Sequence, residues 1–270
     1  MSDAQQRPAA QPPLTSRDFD TTFAAVSGSR LLPALWWQAY GDEYPAELRT
    51  FSLTTWSLLK EVRDRLAVRP GSRLLDLGCG AGGPGLWLAG QAVAELVGLD
   101  FSLVALGSAA RRAPAFLPAG RAHFVAATFL ATGLADASVD AAVSFDAFIF
   151  CRDKAAGFRE LHRVLRPGAQ FAFTLAEVID PADATDLRLA DHRPLVEAAG
   201  LHILHYAETP SWREPQRRTY QLWLEHAGDL RADLGEEAAA VLLDEAGRVG
   251  AQLDNVRRML LLGARGEAAG

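Results

Sequence analysis

The sequence predicts an α/β protein built on one open sheet, mostly parallel, with helices on both faces. Three observations predict it. Short apolar runs alternate with amphipathic stretches from residue 46 to about residue 210. The first apolar run opens into a glycine-rich loop, "RLLDLGCGAGGPGLW", Arg73 to Trp87. After residue 210 the alternation gives way to helical patterning, and one last apolar run follows.

Each element has its own reason. Leu48, Phe51, Thr55/Trp56, Leu59, Val62 and Leu66 recur at helical spacing, so a helix is expected from Ala46 to Val68, closed by "VRPGS". "RLLDLG" suits a strand buried on both faces. A helix follows the loop through "GPGLWLAGQ". "ELVGLD" (Glu95–Asp100), "AHFVAATF" and "VDAAVSFDAF" (Val139–Phe148) read as the next strands, with the helix "SLVALGSAARRA" after the second. "DKAAGFRELHRVL", stopped by "RPG", precedes a fifth strand at Ala169–Glu177. A helix in "HRPLVEAAG" and a strand in "LHILHYAETP" complete the rhythm. Between Ser211 and Asn255 two apolar stripes (Tyr220, Trp223, Leu224, Ala227, Leu230; then Leu242, Leu243, Ala246, Val249, Leu253) predict a helical insert. Val256–Arg265 reads as the last strand. The N-terminal 1–16, rich in Ala, Gln and Pro, reads as a disordered tail.

Composition narrows the function. The chain has 270 residues, 49% hydrophobic and 22% charged, with a formal net charge of −6. An acidic chain without a basic run is a poor match for a nucleic-acid backbone. No apolar run reaches the roughly 18 residues of a membrane span. The start lacks the basic and apolar parts of a secretory signal, so a cytoplasmic location is expected. Cys79 and Cys151 stand apart and belong to no C-x-x-C pair, which argues against zinc, and the histidines show no metal-ligand spacing. No metal is expected.

The loop decides between two cofactors. Gly78, Gly80 and Gly83 spell G-x-G-x-x-G, which cradles the pyrophosphate of NAD in many oxidoreductases. The strand before it, however, ends in Asp76. An unneutralised carboxylate repels a pyrophosphate and attracts a cation. S-adenosylmethionine (SAM) carries an ammonium and a sulfonium and no phosphate. Asp100, ending the second strand, suits the ribose hydroxyls of either ligand. Asp76 therefore favours SAM, although an acid there also suits a cap on the following helix.

These residues resemble the class I SAM-dependent methyltransferases. "LLDLGCGAGG" resembles their first motif, "VGLDFS" their second, and "ELHRVLRPGAQFAFT" the helix, turn and fifth strand of their small-molecule members. "LHILHY … RRMLLL" is similar to their terminal strand pair. The resemblance covers about Leu66 to Arg265. It implies a Rossmann-like open sheet, mostly parallel with an antiparallel last strand, and a helical lid inserted before that strand. The implied organisation is a tail (1–16), an N-terminal helical segment (17–68), a SAM-binding core (69–210), a lid (211–255), and the last strand with its tail (256–270). Asp76, Gly78, Cys79 and Gly80 would line the methionine part of SAM. Asp100 would hold the ribose, with Phe101 and Ser102 beside the adenine. Thr128 and Phe129 stand where the family often has an acid for the adenine amino group. "SFDAF" places Ser144 and Asp146 after the fourth strand, where a histidine often follows in amine-methylating members; here Phe150 stands near that place. Asp146 also suits helix capping or pairing with an arginine. Asp146, Glu177, His205 and Tyr40 are the candidate bases. Trp36, Trp37 and Tyr40 read equally as core aromatics and as a wall of the substrate pocket. The expected reaction is methyl transfer to a small molecule such as a secondary metabolite. The alternative is a SAM-binding protein that catalyses a rearrangement or cyclisation in the same pocket.

Overall fold

The structure is a computed structural model that describes residues 15–267. Most of the tail expected at 1–16 lies outside the described residues. Its last two residues are ordered into a helix start. Thr15 and Asp18 form a reciprocal capping box that opens α1 (Ser16–Gly28). Helix α2 (Leu31–Tyr40) follows.

The helix expected from Ala46 to Val68 is shorter. A 3₁₀ turn at Ala46–Leu48 ends at Arg49, whose φ of 44° is left-handed, and α3 (Trp56–Arg65) starts only where the Thr55 hydroxyl accepts the Leu58 N–H. The side chains between explain the gap. Ser52 accepts from the Thr54 N–H and donates to its hydroxyl, offering the backbone a partner outside a helix.

From there the alternation follows the sequence closely: β1 (Arg73–Leu77), α4 (Gly83–Ala92), β2 (Glu95–Asp100), α5 (Leu103–Arg112), β3 (Ala122–Ala126), β4 (Val139–Ser144), α6 (Lys154–Val164), β5 (Leu165–Val178), α7 (Arg193–Ala198) and β6 (Leu201–Glu208). The insert forms three helices rather than two, α8 (Arg213–Glu225), α9 (Ala227–Leu234) and α10 (Glu236–Gly250), before β7 (Val256–Arg265). The seven strands lie in the order β3-β2-β1-β4-β5-β7-β6. The first five pair in parallel, and β7 runs antiparallel between β5 and β6.

Strand alternation divides the core. Leu75 and Leu77 face α6 and α7 together with Phe158, Phe171 and Phe173. Leu74 faces the opposite layer of α3 and α4 with Leu59, Leu86 and Leu96. Asp76 shares the parity of Leu74, so its side chain turns toward α4. A third core lies outside both layers. Leu32, Leu35 and Trp36 of α2 pack there with Tyr220, Trp223, Leu230 and Leu242 of the insert. Trp36 is 3% exposed, whereas Trp37, expected beside it as core or pocket wall, is 58% exposed. No helix among the described residues is long and apolar enough to cross a membrane.

Candidate active site

The β1–α4 loop is held by the neighbouring strand. The Gly78 and Cys79 N–H groups both donate to the Leu99 carbonyl, at 2.7 and 2.9 Å. Gly78 (φ 74°) and Gly80 (φ 52°) take left-handed backbone that other residues rarely adopt. A Cβ on Gly78 would stand 2.4 Å from the Ala147 side chain, so the loop also needs glycine for close approach.

Asp100 completes this loop. One carboxylate oxygen accepts the Gly80 N–H at 2.8 Å and the other the Ser102 N–H at 2.9 Å. Each oxygen keeps a lone pair for a ligand hydroxyl. Burial, the largest influence, raises the Asp100 carboxyl above its usual range against three backbone N–H groups that lower it. Asp76 is 2% exposed and lies beneath the loop against Gly85, in the first turn of α4. Burial first, then the charge of Asp100, pushes its carboxyl up to about 7. Its placement is that of the helix-facing acid the sequence left open, directly under the loop rather than on an open wall.

The other expected cofactor residues divide. Phe101 and Phe129 stand around the loop. Phe101 meets Phe19 edge-on at 5.0 Å, and Phe129 would lie 3.2 Å from a Cβ on Gly78. The Cys79 thiol is turned inward and held above its usual pKa by burial, so only its backbone faces the loop's open side. Ser102 is fully buried as the N-cap of α5, accepting from the Ala105 N–H. Ser144 is fully buried and donates to the Leu77 carbonyl, tying β4 to β1. Thr128 is exposed, its hydroxyl accepting the Leu130 N–H within its own turn. Ser144 departs from the expected ligand-facing placement, its hydroxyl spent on the Leu77 carbonyl, whereas Thr128 is exposed and keeps a donor and a second lone pair.

Helix α1 roofs the loop, the cover the family resemblance implies for the N-terminal segment, through side chains not singled out from the sequence. A Cβ on Gly80 would lie 3.0 Å from the Phe23 ring. Phe19 packs edge-on against both Phe101 and Phe150, at 5.0 and 5.3 Å. Asp20 accepts from the Ser102 hydroxyl and the Val104 N–H, docking α1 on the start of α5. The signal was present as "FDTTF", with Phe19, Asp20 and Phe23 on one helical face.

The candidate bases are engaged. Asp146, at a left-handed φ of 54°, forms a bidentate pair with Arg258, with N–O distances of 2.8 and 2.9 Å from the same guanidinium nitrogen. It also accepts from the Thr174 hydroxyl and the Leu53 N–H. Of the roles open to Asp146, the arginine pairing is the one found, with Arg258; Arg152, nearer in sequence, pairs with Asp186. Glu177 is 1% exposed, accepts from the His192 backbone N–H, the Tyr206 hydroxyl and Arg257, and lies 3.2 Å from the His192 ring Nδ1. Burial opposes these bonds, and the net effect holds its carboxyl below the ordinary range. His205 lies within 4.0 Å of Glu61, on α3. Tyr40 is 9% exposed, and its hydroxyl lies beside the Thr219 hydroxyl. Burial pushes it well above a normal tyrosine pKa. Among the described residues no group of three or more His, Cys, Asp or Glu is placed to hold a metal ion.

Comparison with known proteins agrees with this geometry. The model of the methyltransferase domain family matches residues 75–173. An O-methyltransferase of Penicillium expansum, cnsE, is 26% identical over 80% of this chain and 83% of its own. Methyltransferase GfsG of Streptomyces halstedii is 31% identical over 68% of this chain and 70% of its own. Among solved structures, the [4+2]-cyclase SpnF superposes with a TM-score of 0.74 at 21% identity, over 96% of this chain and 100% of its own, a likeness of fold. The sheet order, the glycine loop with its acidic strand ends, and a relative 31% identical over more than two thirds of both chains place this protein in the class I SAM-dependent methyltransferases.

Proposed function

We propose that the site beneath α1 holds SAM and that the chain methylates a small molecule, such as a secondary metabolite, in the cytoplasm. The carrying observation is Asp100. Its carboxylate is fixed by the Gly80 N–H and keeps a lone pair on each oxygen, within a loop whose two left-handed glycines allow close approach. Asp100 takes the ribose hydroxyls; the backbone of Gly78, Cys79 and Gly80 lines the methionine part; Phe101 and Phe129 flank the adenine. Asp76 supplies negative potential from below. Bound SAM supplies an electrophilic methyl group on a sulfonium. The protein's part is to exclude water and align the acceptor. Phe19 and Phe23 exclude water above the loop. Asp146 and Glu177 act through position, since their carboxylates are already paired, and Tyr40 donates a hydrogen bond rather than removing a proton. The O-methyltransferase name of one relative supports an oxygen acceptor.

The test is product analysis. With methyl-labelled SAM and a panel of phenolic and alcoholic acceptors, label should move to the acceptor with one S-adenosylhomocysteine (SAH) released per turnover. Consumption of substrate without SAH would replace methyl transfer by rearrangement or cyclisation.

A further inference from the structure

The glycines that let a ligand approach the β1–α4 loop also leave that loop with few side chains to hold its shape. Gly78, Gly80 and Gly82 all take left-handed backbone, and glycine is the residue least restrained in φ. Two charged side chains supply the restraint. The Asp100 carboxylate accepts the Gly80 N–H at 2.8 Å. From the far end of α5, the Arg112 guanidinium donates to the Ala81 carbonyl at 2.7 Å. An anion thus holds an amide hydrogen and a cation holds the carbonyl of the next residue, each matched to the dipole it grips. The Ala81 carbonyl and the Gly82 N–H belong to one planar peptide group, and that N–H donates to the Cys79 carbonyl at 2.8 Å. Arg112 therefore fixes the peptide plane at the bend of the loop.

The same guanidinium reaches a second segment. Its other terminal nitrogen donates to the Leu48 carbonyl at 2.6 Å and to the Glu47 carbonyl at 3.4 Å. The 3₁₀ turn that bears these carbonyls lies on the first residue of α4: a Cβ on Gly83 would stand 2.2 Å from the Leu48 oxygen. From this turn the chain runs on to Leu53, whose N–H donates to Asp146. Arg112 answers no carboxylate among the described residues. Burial, then the nearby charge of Arg49, lowers its pKa, so its charge is held at a cost that the carbonyls offset. Packing on the Phe116 ring, 5.7 Å away, does not by itself require a charge, since a methionine would cover that ring as well. The guanidinium offers what a methionine lacks, N–H groups on two nitrogens set in a rigid fork, and the fork spans the two segments.

We infer that Arg112 is a positioning residue for the cofactor: it sets the Ala81 peptide of the loop and ties the 46–48 turn to it, so that a filled loop steadies the segment that carries the Leu53 N–H. The inference rests on the methyltransferase reading above and adds to that site a residue that acts through backbone carbonyls of two segments.

SAH binding to the full-length protein measures this role without an acceptor. Arg112→Met keeps the stem and deletes the fork, and its SAH Kd should rise at least about fivefold, because charge-assisted bonds are lost. Arg112→Lys keeps the charge without the fork and should still weaken SAH at least about threefold. The lysine variant carries the test if the methionine variant does not fold. Leu117→Ala is the control for stability alone, a truncation in the second sheet core just beyond the same end of α5. It should destabilise the fold and leave the SAH Kd within about twofold of wild type. Saturating SAH should also slow amide hydrogen exchange at residues 46–53 in the wild type. In the Arg112 variants that protection should be lost, while protection of residues 100–105 remains. Three results overturn the inference: a smaller loss of affinity in either Arg112 variant; a greater loss in Leu117→Ala, which would make affinity follow stability; or equal protection of residues 46–53 in variant and wild type. A wild-type protein that binds no SAH overturns the cofactor reading instead, and calorimetry with SAH alone detects it separately.

Discussion

At the scale of single residues, Asp76 and Asp146 show how burial assigns different work to two acids at strand ends. Asp76 has no cationic partner among the described residues, and its carboxyl is pushed up to about 7 by burial and by Asp100. A folded pKa above the unfolded value means that the ionised form is the costly one. The contribution of this group to stability is therefore greatest below its ordinary value of 3.8 and is lost as pH rises toward 7. A ligand that brings an ammonium or sulfonium above the loop reverses that cost and favours ionisation. SAH binding at pH 6.5 should consequently release a proton, up to roughly one per site, and affinity should climb between pH 6 and 8. Calorimetry in buffers of different ionisation enthalpy measures the release; Asp76→Asn should abolish it, and a wild-type value of zero would remove Asp76 from the field of the ligand. Asp146 is the opposite case. Arg258 is 5% exposed and has its charge answered by Asp146. Removing one member of a buried pair strands the other, at a cost of about 3–5 kcal/mol. Asp146→Ala should be destabilised by that order in urea, and Asp146→Ala with Arg258→Met should recover most of the loss. Full stability in the single variant would free Asp146 to be the base that the sequence alone offered.

At the scale of elements, α1 is the part that joins cofactor chemistry to fold dynamics. It pairs with no strand: two phenyl rings lie on the loop, Asp20 docks on the start of α5, and Ala25 and Val26 rest on the third core. A helix docked by side chains alone opens without breaking the sheet. A ligand beneath it must enter and leave by that opening. Phe23→Ala should therefore speed SAH dissociation at least about fivefold in stopped-flow displacement, with far-UV circular dichroism unchanged; an unchanged rate would mean that the ligand leaves by another route. The strands that carry Asp76 and Asp100 were legible in the sequence, because apolar runs bounded by glycine are a local signal and their ends agree with the structure to within a residue. The side chains that make the roof, and which arginine meets Asp146, were not legible. Asp20 meets Ser102 across 82 residues of sequence, and Arg258 meets Asp146 across 112. No local period encodes such partners. Strand parity also hid the inward turn of Ser144, whose motif resembles a ligand contact while its hydroxyl serves the sheet. The Ala46–Val68 helix failed for a related reason: apolar spacing continued across residues 49–55, where serine and threonine side chains took over the backbone's role.

At the scale of the whole molecule, the described residues form three cores, and the third belongs to two distant segments at once. The two sheet cores are built from the strands with α3, α4, α6, α7 and neighbouring loops. The third joins α2 to α8, α9 and α10, so the insert covers the N-terminal segment as well as the strand ends. An insert that only capped the mouth could be exchanged for a short linker with the fold intact. Here, replacing residues 211–255 by a Gly-Ser loop would strip the partner from Leu32, Leu35, Trp36 and Tyr40, leaving a contiguous apolar face on α2. Faces of that kind drive association. The shortened protein should bind the dye ANS and aggregate on concentration. Removing residues 1–52 as well takes away the exposed face together with its partner, and the two sheet cores keep their own contacts. That doubly trimmed chain should recover solubility and a cooperative thermal transition, yet bind SAH weakly, because α1 and its phenylalanines are gone. If the single deletion stays monodisperse and free of ANS, the third core is not shared, and the insert is a lid that rests on the sheet alone. If the double deletion fails to fold, the N-terminal segment supports the sheet itself, and the Leu53–Asp146 hydrogen bond beside the cut is where that support would enter.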